Sequence, residues 1–437
     1  MGGGSLSRRM ARVVRRLCWD DLRPEVIAKV KTGLLDMLSC AFEARELPWG
    51  QQAIRMAGRA AGPATVIGTR CRVAAGDAAF ANAVLGHGLV REDMHTGAVS
   101  HLGVVLYPVL LALAQEHKVS GRDFIVAAVC GYEIGAAVGR ALMDQEMVRR
   151  FRPTGITGPL GGAAAGARLL SLDEQEMASA LGLAANATGG LNEWPYSGGD
   201  EMFFHPGFAA RNALTAVELA RLGARASESA LDGRSGLFAV HGKCADAVQP
   251  FGGGPLEIES VYYKPAPACN YVQTACQAAA SLGVRGAEVQ RITVKLPAAA
   301  VQYPGCDFAG PFERILQAKM SIQYSVAATL ARGEIAEANY RLLSDREVLR
   351  LAAGTTLEAD PQLTAAYPQR QGAEVVVTLR SGEIASKRLP DVTPASPAEI
   401  RHRFRAVCGN ASAIEERIDA LEHQDDVGAL GALLATP

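Results

Sequence analysis

Five side chains that can carry protons lie close together between positions 87 and 101 of the chain. They are His87, Glu92, Asp93, His95 and His101. Histidine gives and takes protons near neutral pH, and a neighbouring carboxylate can orient it and raise its pKa. The segment therefore predicts general acid/base chemistry.

The same segment allows two other interpretations. Successive histidines are eight and six residues apart, and neither gap fits a compact zinc signature, so we predict no metal ion here. A surface loop whose histidines cap helices would have a similar composition, and this alternative stays open.

Arg152 directly precedes a glycine-rich stretch that runs from 153 to 162. A helix beginning there would offer free N–H groups and the positive end of its dipole to an anion, and Arg152 could bind a carboxylate in a bidentate manner. The Walker lysine and the preceding Rossmann strand are both missing, which argues against nucleotide binding. The small residues from 163 to 166 equally suit tight helix packing.

Two later segments place polar groups at the expected starts of helices. His205 could bind or protonate a substrate, although a core histidine beside Phe203 and Phe204 fits as well. Lys264 lies on a proline-stiffened turn, where a fixed ammonium could neutralise a carboxylate; a surface lysine is the alternative. Cys269 has no base beside it in the sequence, so we do not predict it as a nucleophile.

Helices must position these groups. Apolar residues recur at three- and four-residue spacing through most of the first 250 positions, which predicts amphipathic helices. The predicted helices cover residues 24–44, 76–89, 104–117, 121–143, 158–170, 173–188 and 206–222. Pro24 suits the first turn of the first helix because its fixed φ is already helical.

The pattern changes at the glycine cluster 252–254. Alternating polar and apolar residues then predict strands, and Ser381-Gly382 predicts a hairpin turn. The predicted strands cover 290–296, 373–377 and 384–389, and helical spacing returns at 398–404 and 412–421.

These patterns predict a mainly α protein with a large helical domain and a smaller α+β lid domain. A chain of 437 residues also exceeds the size at which one core usually stops growing. We predict that the helical domain covers 1–254, that the lid covers 255–396, and that the C-terminal helices over 397–437 return to the helical domain.

Composition narrows the class of protein. A formal net charge of −1 predicts neither nucleic acid nor an anionic membrane surface as a partner. Nine scattered cysteines without a CxxC pair are typical of reduced thiols in the cytoplasm. The basic N-terminus runs into Trp19-Asp20-Asp21 rather than an apolar segment, and charges interrupt every long apolar run. We therefore expect a soluble, cytoplasmic protein.

The clusters, in this order, resemble the MmgE/PrpD family, which includes 2-methylcitrate dehydratase, cis-aconitate decarboxylase and iminodisuccinate epimerase. The similar segments are Leu34-Leu35-Asp36-Met37-Leu38, the His101 loop with Tyr107-Pro108, Pro153-Thr154-Gly155, His205-Pro206-Gly207, Lys264 to Cys269, and Ala318 to Tyr324. The resemblance spans nearly the whole chain.

The resemblance implies a helical domain with an α+β lid, a homodimer, and an active site in the cleft that needs no metal or organic cofactor. It further implies a small polycarboxylate substrate. By resemblance, Asp93, His101, Lys264 and Tyr324 match active-site positions. His101 is then expected to transfer the proton, Asp93 to orient it, and Lys264 to bind a carboxylate.

The chain departs from the family pattern at several of these positions. Arg91 and His95 replace Asp and Thr beside the shared acid, Arg152 replaces a histidine, Met202 a lysine, and Cys269 the histidine of the decarboxylases. We predict His95 as a second acid/base. The predicted substrate contacts are Arg91, Arg152, His205, Tyr324 and Cys269.

These residues favour a cofactor-independent lyase, similar to 2-methylcitrate dehydratase, that removes a proton α to a carboxylate. The replacements favour an activity other than cis-aconitate decarboxylation itself. Two enzymatic alternatives are an epimerase or isomerase, and a decarboxylase of a related di- or tricarboxylate. A homologue that binds carboxylates without turnover is the alternative from another class.

Overall fold

The apolar positions that repeat every three or four residues become the buried faces of long helices. The computed structural model describes residues 4–435. The helices of the first part are α1 Leu6–Arg16, α2 Pro24–Ala44, α3 Pro48–Ala57, α4 Ala75–His87, α5 Gly103–Glu116, α6 Gly121–Leu142, α7 Met147–Arg150, α8 Pro153–Leu169, α9 Glu174–Ala185, α10 Trp194–Ser197, α11 Glu201–Arg221 and α12 Leu237–Val240. Two short strand pairs accompany them, β1 Ala61–Thr65 with β2 Arg72–Val73, and β3 Met94–His95 with β4 Val261–Tyr262.

Helices α6 and α8 pack with their backbones very close together. A Cβ on Gly131 of α6 would lie 3.0 Å from the carbonyl oxygen of Gly161 in α8. By length and composition alone α6 could cross a membrane, although charged residues interrupt its apolar run. In the structure 89% of its most apolar window is buried inside the fold, as in a core helix. Arg152 is the N-cap residue of α8, so the packing of α8 against α6 contributes to its placement.

Helix α8 begins five residues before its predicted start at 158. Pro153 occupies the first turn, where a missing N–H costs nothing. Pro159 lies inside the helix and cannot donate to the carbonyl of Gly155, but the N–H of Gly189 donates to that carbonyl at 3.0 Å instead. A tertiary partner thus replaces the lost helical hydrogen bond.

The later part contains a four-stranded mixed sheet. Its strands are β5 Val289–Leu296, β6 Thr355–Ala359, β7 Ala373–Leu379 and β8 Ile384–Leu389, in the order β6-β5-β7-β8. Strands β7 and β8 form the predicted antiparallel hairpin, with Gly382 at φ 88° in its turn. Strand β6, which pairs parallel to β5, was not among the predicted strands.

Further helices precede, connect and follow the strands of the sheet. They are α13 Gln273–Ala280, α14 Ala298–Val301, α15 Ile315–Met320, α16 Ile322–Arg332, α17 Arg346–Ala353, α18 Pro361–Ala366, α19 Pro397–Val407, α20 Ala411–Asp419 and α21 Leu430–Leu434. Helix α19 packs against α2 of the first part. The predicted fold class, mainly helical with a second, sheet-containing domain, is confirmed. The boundaries at 254 and 396 stay predictions, and residues 1–3 and 436–437 of the outer segments lie outside the described range.

A buried acid in α2 makes folding stability depend on pH. Asp36 is 1% exposed, both its carboxylate oxygens lack a hydrogen-bond partner among the described residues, and burial raises its pKa to about 7. Ionisation therefore disfavours the folded state, so stability should fall as the pH rises from about 4, where an unfolded Asp titrates, to about 7.

Asp36→Asn should remove this loss. We expect the variant to be more stable than the parent at pH 8, by up to about 4 kcal/mol, and equally stable near pH 4. Urea unfolding at both pH values measures the difference, with exposed Asp20→Asn as control. Equal stability of the variant and the parent at pH 8 would contradict the buried, unpaired carboxyl.

Candidate active site

A cavity opens between the N-terminal helices and the segment that follows β4. It is lined by Val90, Met94, Val99, His101, Arg152, Pro153, Trp194, Met202, Cys269, Asn270, Tyr271, Tyr303 and Met320. Most of these walls are apolar, and the ionisable groups His101, Arg152 and Cys269 come from three separate segments. A concave, largely apolar pocket with a few convergent polar groups is the usual form of a small-molecule site.

His101 lies between β3 and α5 in one fixed tautomer. Its Nδ1 is 2.7 Å from the backbone oxygen of Asp93, and the backbone N–H of His101 donates to Thr154 Oγ1 at 3.0 Å. Because a carbonyl oxygen only accepts, Nδ1 carries the proton and Nε2 is left with its lone pair. Burial and the nearby Lys264 ammonium lower the pKa of His101 well below its usual value. The imidazole is therefore a neutral base at neutral pH.

Glu92 connects the ionisable groups beside the cavity. Its Oε1 lies 2.7 Å from His87 Nδ1, 3.2 Å from His101 Nδ1 and 3.9 Å from Lys264 Nζ, and its side chain is fully buried. Burial alone would raise the pKa of Glu92, but His87, Lys264 and His101 outweigh burial and hold the pKa below its usual range. Glu92 is thus a carboxylate that orients two imidazoles and pairs with a buried ammonium.

His87 links Arg152 to this carboxylate. The guanidinium can only donate, and Arg152 Nη2 is 3.2 Å from His87 Nε2. His87 Nε2 therefore accepts, and the Nδ1–H of His87 donates to Glu92. Burial lowers the pKa of His87, which agrees with a neutral ring. Arg152 also lies over the Trp194 ring, 5.6 Å from its centroid. The guanidinium is thereby held at the cavity wall.

The cavity wall carries a cation that no carboxylate balances at close range. Lys264 pairs with Glu92 at 3.9 Å, and both imidazoles are neutral by the hydrogen-bond directions above. Arg152 lines the cavity and forms no ion pair within 4 Å among the described residues. Such a site attracts a carboxylate ligand.

Two valines at the cavity wall have strained backbones. Val90 has φ 58° and Val99 φ 51°, in the left-handed region that β-branched residues avoid. Each such backbone conformation costs about 1–3 kcal/mol and persists only where the surrounding structure holds it in place. Val90 precedes Glu92 by two residues and Val99 precedes His101 by two residues, and such strain clusters at functional sites.

Asp93 and His95 lie behind the cavity wall. The Asp93 side chain accepts from Tyr132 Oη at 2.6 Å and from the N–H of Gly103, and burial raises its pKa to about 6. Its backbone carbonyl, rather than its carboxylate, holds His101. His95 uses both ring nitrogens, one with the N–H of Ala98 and the other 2.8 Å from Glu257 Oε2.

Three other predicted contacts lie outside the cavity lining. Arg91 is 2.8 Å from Glu43 in an ion pair. Tyr324 is buried and its hydroxyl donates to the carbonyl of Asn339. His205 faces a neighbouring cleft with Gly189, and burial, with Arg152 close by, lowers its pKa to about 3. The structure thus brings Arg152, Cys269 and His101 together, with Lys264 one contact away through Glu92.

Glu92 and His87 were not among the predicted site residues. Both lie in the predicted acid/base segment, five positions apart across the end of α4. Asp93 was preferred because it matches the family position. The sequence does place a histidine and an acid together at the end of α4. Their burial could not be predicted from it, because it depends on α11 and the Lys264 segment, which pack over them in the folded chain.

One group of potential metal ligands lies elsewhere. Within residues 4–435, Glu116, His117 and Glu218 are the three such side chains whose ligand atoms come within 4.8 Å of one another. Glu116 is exposed, and none of the three lines the cavity.

Comparison with family models matches almost the whole chain. The MmgE/PrpD N-terminal domain matches residues 8–249, and the MmgE/PrpD C-terminal domain matches residues 266–425. His101 and Arg152 fall in the first match and Cys269 in the second, so the cavity draws on both.

Curated relatives agree with these matches. The human cis-aconitate decarboxylase is 28% identical over 395 residues, covering 82% of this chain and 79% of the relative. The cis-aconitate decarboxylase-like protein oryM of Aspergillus oryzae is 33% identical over 230 residues, 50% of this chain and 48% of the relative. The cis-aconitate decarboxylase of Aspergillus terreus is 31% identical over 230 residues. The matches with these fungal proteins span about half of their length.

Proposed function

The chain belongs to the MmgE/PrpD family, and from this premise we propose that it is a cofactor-independent lyase of the dehydratase kind. The family acts on small polycarboxylates and includes dehydratases and decarboxylases. One observation carries the proposal: a neutral His101, with Nε2 unprotonated, lines a cavity beside the guanidinium of Arg152.

The proposed reaction begins with proton removal. His101 Nε2 takes the proton α to a substrate carboxylate, and the electron pair of the broken C–H bond moves toward that carboxylate. Arg152 stabilises the developing negative charge, and Lys264 adds to the positive field. A β-hydroxyl then departs, takes a proton from a second group in the cavity and leaves as water, so that a carbon–carbon double bond remains.

Decarboxylation is the second candidate. It is favoured by the printed names of the relatives, which are cis-aconitate decarboxylases or resemble them. Against it stands Cys269 at the position where the decarboxylases have histidine. The same positive site would then hold the carboxylates that remain on the substrate.

One set of assays tests both candidates. The purified protein is incubated in deuterated water with 2-methylcitrate, citrate, cis-aconitate and iminodisuccinate, and products are followed by NMR. Loss of water with formation of a carbon–carbon double bond supports the dehydratase, and release of carbon dioxide with one deuterium bound in the product supports the decarboxylase. Deuterium exchange without either loss would indicate an epimerase, and binding without turnover would overturn the enzymatic proposal.

Arg152→Gln should lower kcat/KM about a hundredfold or more, because removing one well-placed donor to a developing anion costs about 3–4 kcal/mol. The exposed Arg150 gives a matched control, since Arg150→Gln removes the same charge two residues away and should leave kcat/KM unchanged. Steady-state kinetics measures both. Full activity in Arg152→Gln would remove this residue from the site.

We also propose a homodimer in the cytoplasm. Phe208 and Leu219 in α11 and Leu222 at its C-terminal end are 49%, 43% and 76% exposed, and clustered exposed apolar groups mark protein interfaces. All nine cysteines are free thiols, which suits a reducing compartment. Light scattering should give twice the chain mass of 45.9 kDa, and Leu222→Glu should shift it toward the monomer.

A further inference from the structure

The wall of the cavity carries one thiol whose surroundings are unlike those of an ordinary buried cysteine. Cys269 is 7% exposed and lines the cavity together with His101 and Arg152. It belongs to the C-terminal family match, whereas His101 belongs to the N-terminal one. The thiol therefore approaches a bound ligand from a segment that is independent of the base.

Hydrogen bonds fix Cys269 in place. Its N–H donates to the backbone oxygen of Lys319 at 2.9 Å. The residue precedes the 3₁₀ turn Asn270–Val272, which leads into α13, and the N–H of Tyr271 contacts the sulfur. Backbone N–H groups at a helix start stabilise a thiolate.

A second cysteine touches the first. Cys306 Sγ lies 3.7 Å from Cys269 Sγ, and Cys306 is completely buried. Burial raises the pKa of Cys306 well above its usual value, so this residue keeps its proton and donates S–H to Cys269. Cys306 thus acts on the cavity only through its neighbour, as a positioning residue.

Charge acts in the same direction. The S–H of Cys306 lowers the pKa of Cys269 most, against burial, and the N–H of Tyr271 and the cations Lys264 and Arg152 add to the lowering. A buried free cysteine usually behaves as a small apolar group. Here two cations and two donors surround the sulfur, which is the environment of a thiol that exchanges protons.

We propose that Cys269 is the acid of this site, and that its S–H protonates the hydroxyl that leaves the substrate. The proposal rests on the lyase function above. His101 Nε2 accepts the α-proton, and the C–H electron pair first moves toward the substrate carboxylate. It then forms the double bond as the C–O bond breaks. The departing oxygen takes the proton of Cys269 and leaves as water. The site then holds a protonated His101 and a thiolate, and the proton returns from imidazolium to sulfur through solvent.

The first test titrates the thiol without any substrate. Alkylation of the native protein by iodoacetamide at a series of pH values, read at the Cys269 peptide by mass spectrometry, gives its pKa. We expect the pKa of Cys269 to lie below the usual value of about 8.5 and to rise in Cys306→Ala. The Cys276→Ala variant, which removes another buried thiol, should leave it unchanged. A normal pKa, or no response to Cys306→Ala, would overturn the proposal.

The second test separates acid from base. Cys269→Ala should lose water elimination about a hundredfold or more, yet keep α-proton exchange with deuterated water, because His101 is intact. Cys269→Ser should recover little, since a hydroxyl is a far weaker acid. If the wild type eliminates water and Cys269→Ala does so at the same rate, the acid role of Cys269 is overturned and the lyase function stands. A wild type that neither exchanges nor eliminates with any of the four substrates would overturn the lyase function and the acid role together.

Discussion

His101→Asn is expected to lower kcat/KM by about a hundred- to ten-thousandfold, the usual contribution of a general base, while the protein stays folded. Asparagine keeps an N–H that can donate to the Asp93 carbonyl, as Nδ1 does now at 2.7 Å, but it has no basic nitrogen in place of Nε2. The substitution thus removes the base and little else. Steady-state kinetics with the best substrate from the panel measures the loss.

The pH profile provides an independent measure of the same residue. Burial and Lys264 lower the pKa of His101, and a base is active only when unprotonated. Activity should therefore remain on the acid side of pH 6.5 and fall only as the pH drops through the lowered pKa. An acid limb at or above pH 6.5 would contradict a buried neutral imidazole. Exposed His402→Asn serves as control and should match the parent in rate and profile.

Regular amphipathic patterns explain why much of the fold could be predicted. The helix Pro24–Ala44 begins and ends where the sequence predicted, because proline starts it and one continuous apolar face is buried. The hairpin of β7 and β8 was predicted from alternation and a glycine turn. In contrast, β6 is a five-residue strand whose parallel partner lies about sixty residues earlier, and local sequence does not encode such pairing.

The site was predictable in its segments but not in its contacts. Residue types and family motifs led to His101, Arg152 and Cys269, which line the cavity. They gave no way to see that the carboxylate facing both imidazoles is Glu92, because a shift of one residue in an irregular loop reverses which side chain points inward. The positive φ angles of this loop fall on Val90 and Val99, and because neither position holds a glycine or an asparagine, the residue types do not predict the bends there.

Glu92→Gln should affect activity and stability together. The amide still bonds one neighbour, but Lys264 loses the only negative charge within 4 Å among the described residues and remains fully buried. An unpaired buried charge costs about 3–5 kcal/mol, and the reorientation of His87 and His101 should lower kcat/KM at least about a hundredfold. Urea unfolding and kinetics measure the two effects, and Glu46→Gln, at an exposed position, should show neither.

The pH dependence and a double variant identify the cause. Without Glu92, burial lowers the pKa of Lys264 further, so the folded state gains relative stability as the pH rises from neutrality toward 10.4, where an unfolded lysine loses its charge. The defect of Glu92→Gln should therefore be smaller at pH 9.5 than at pH 7. Adding Lys264→Met removes the stranded charge and should restore stability without restoring activity, because the carboxylate that orients His101 is still missing. If the double variant were no more stable than Glu92→Gln, the loss would come from packing around the imidazoles, and the ion pair would not be what holds this segment in place.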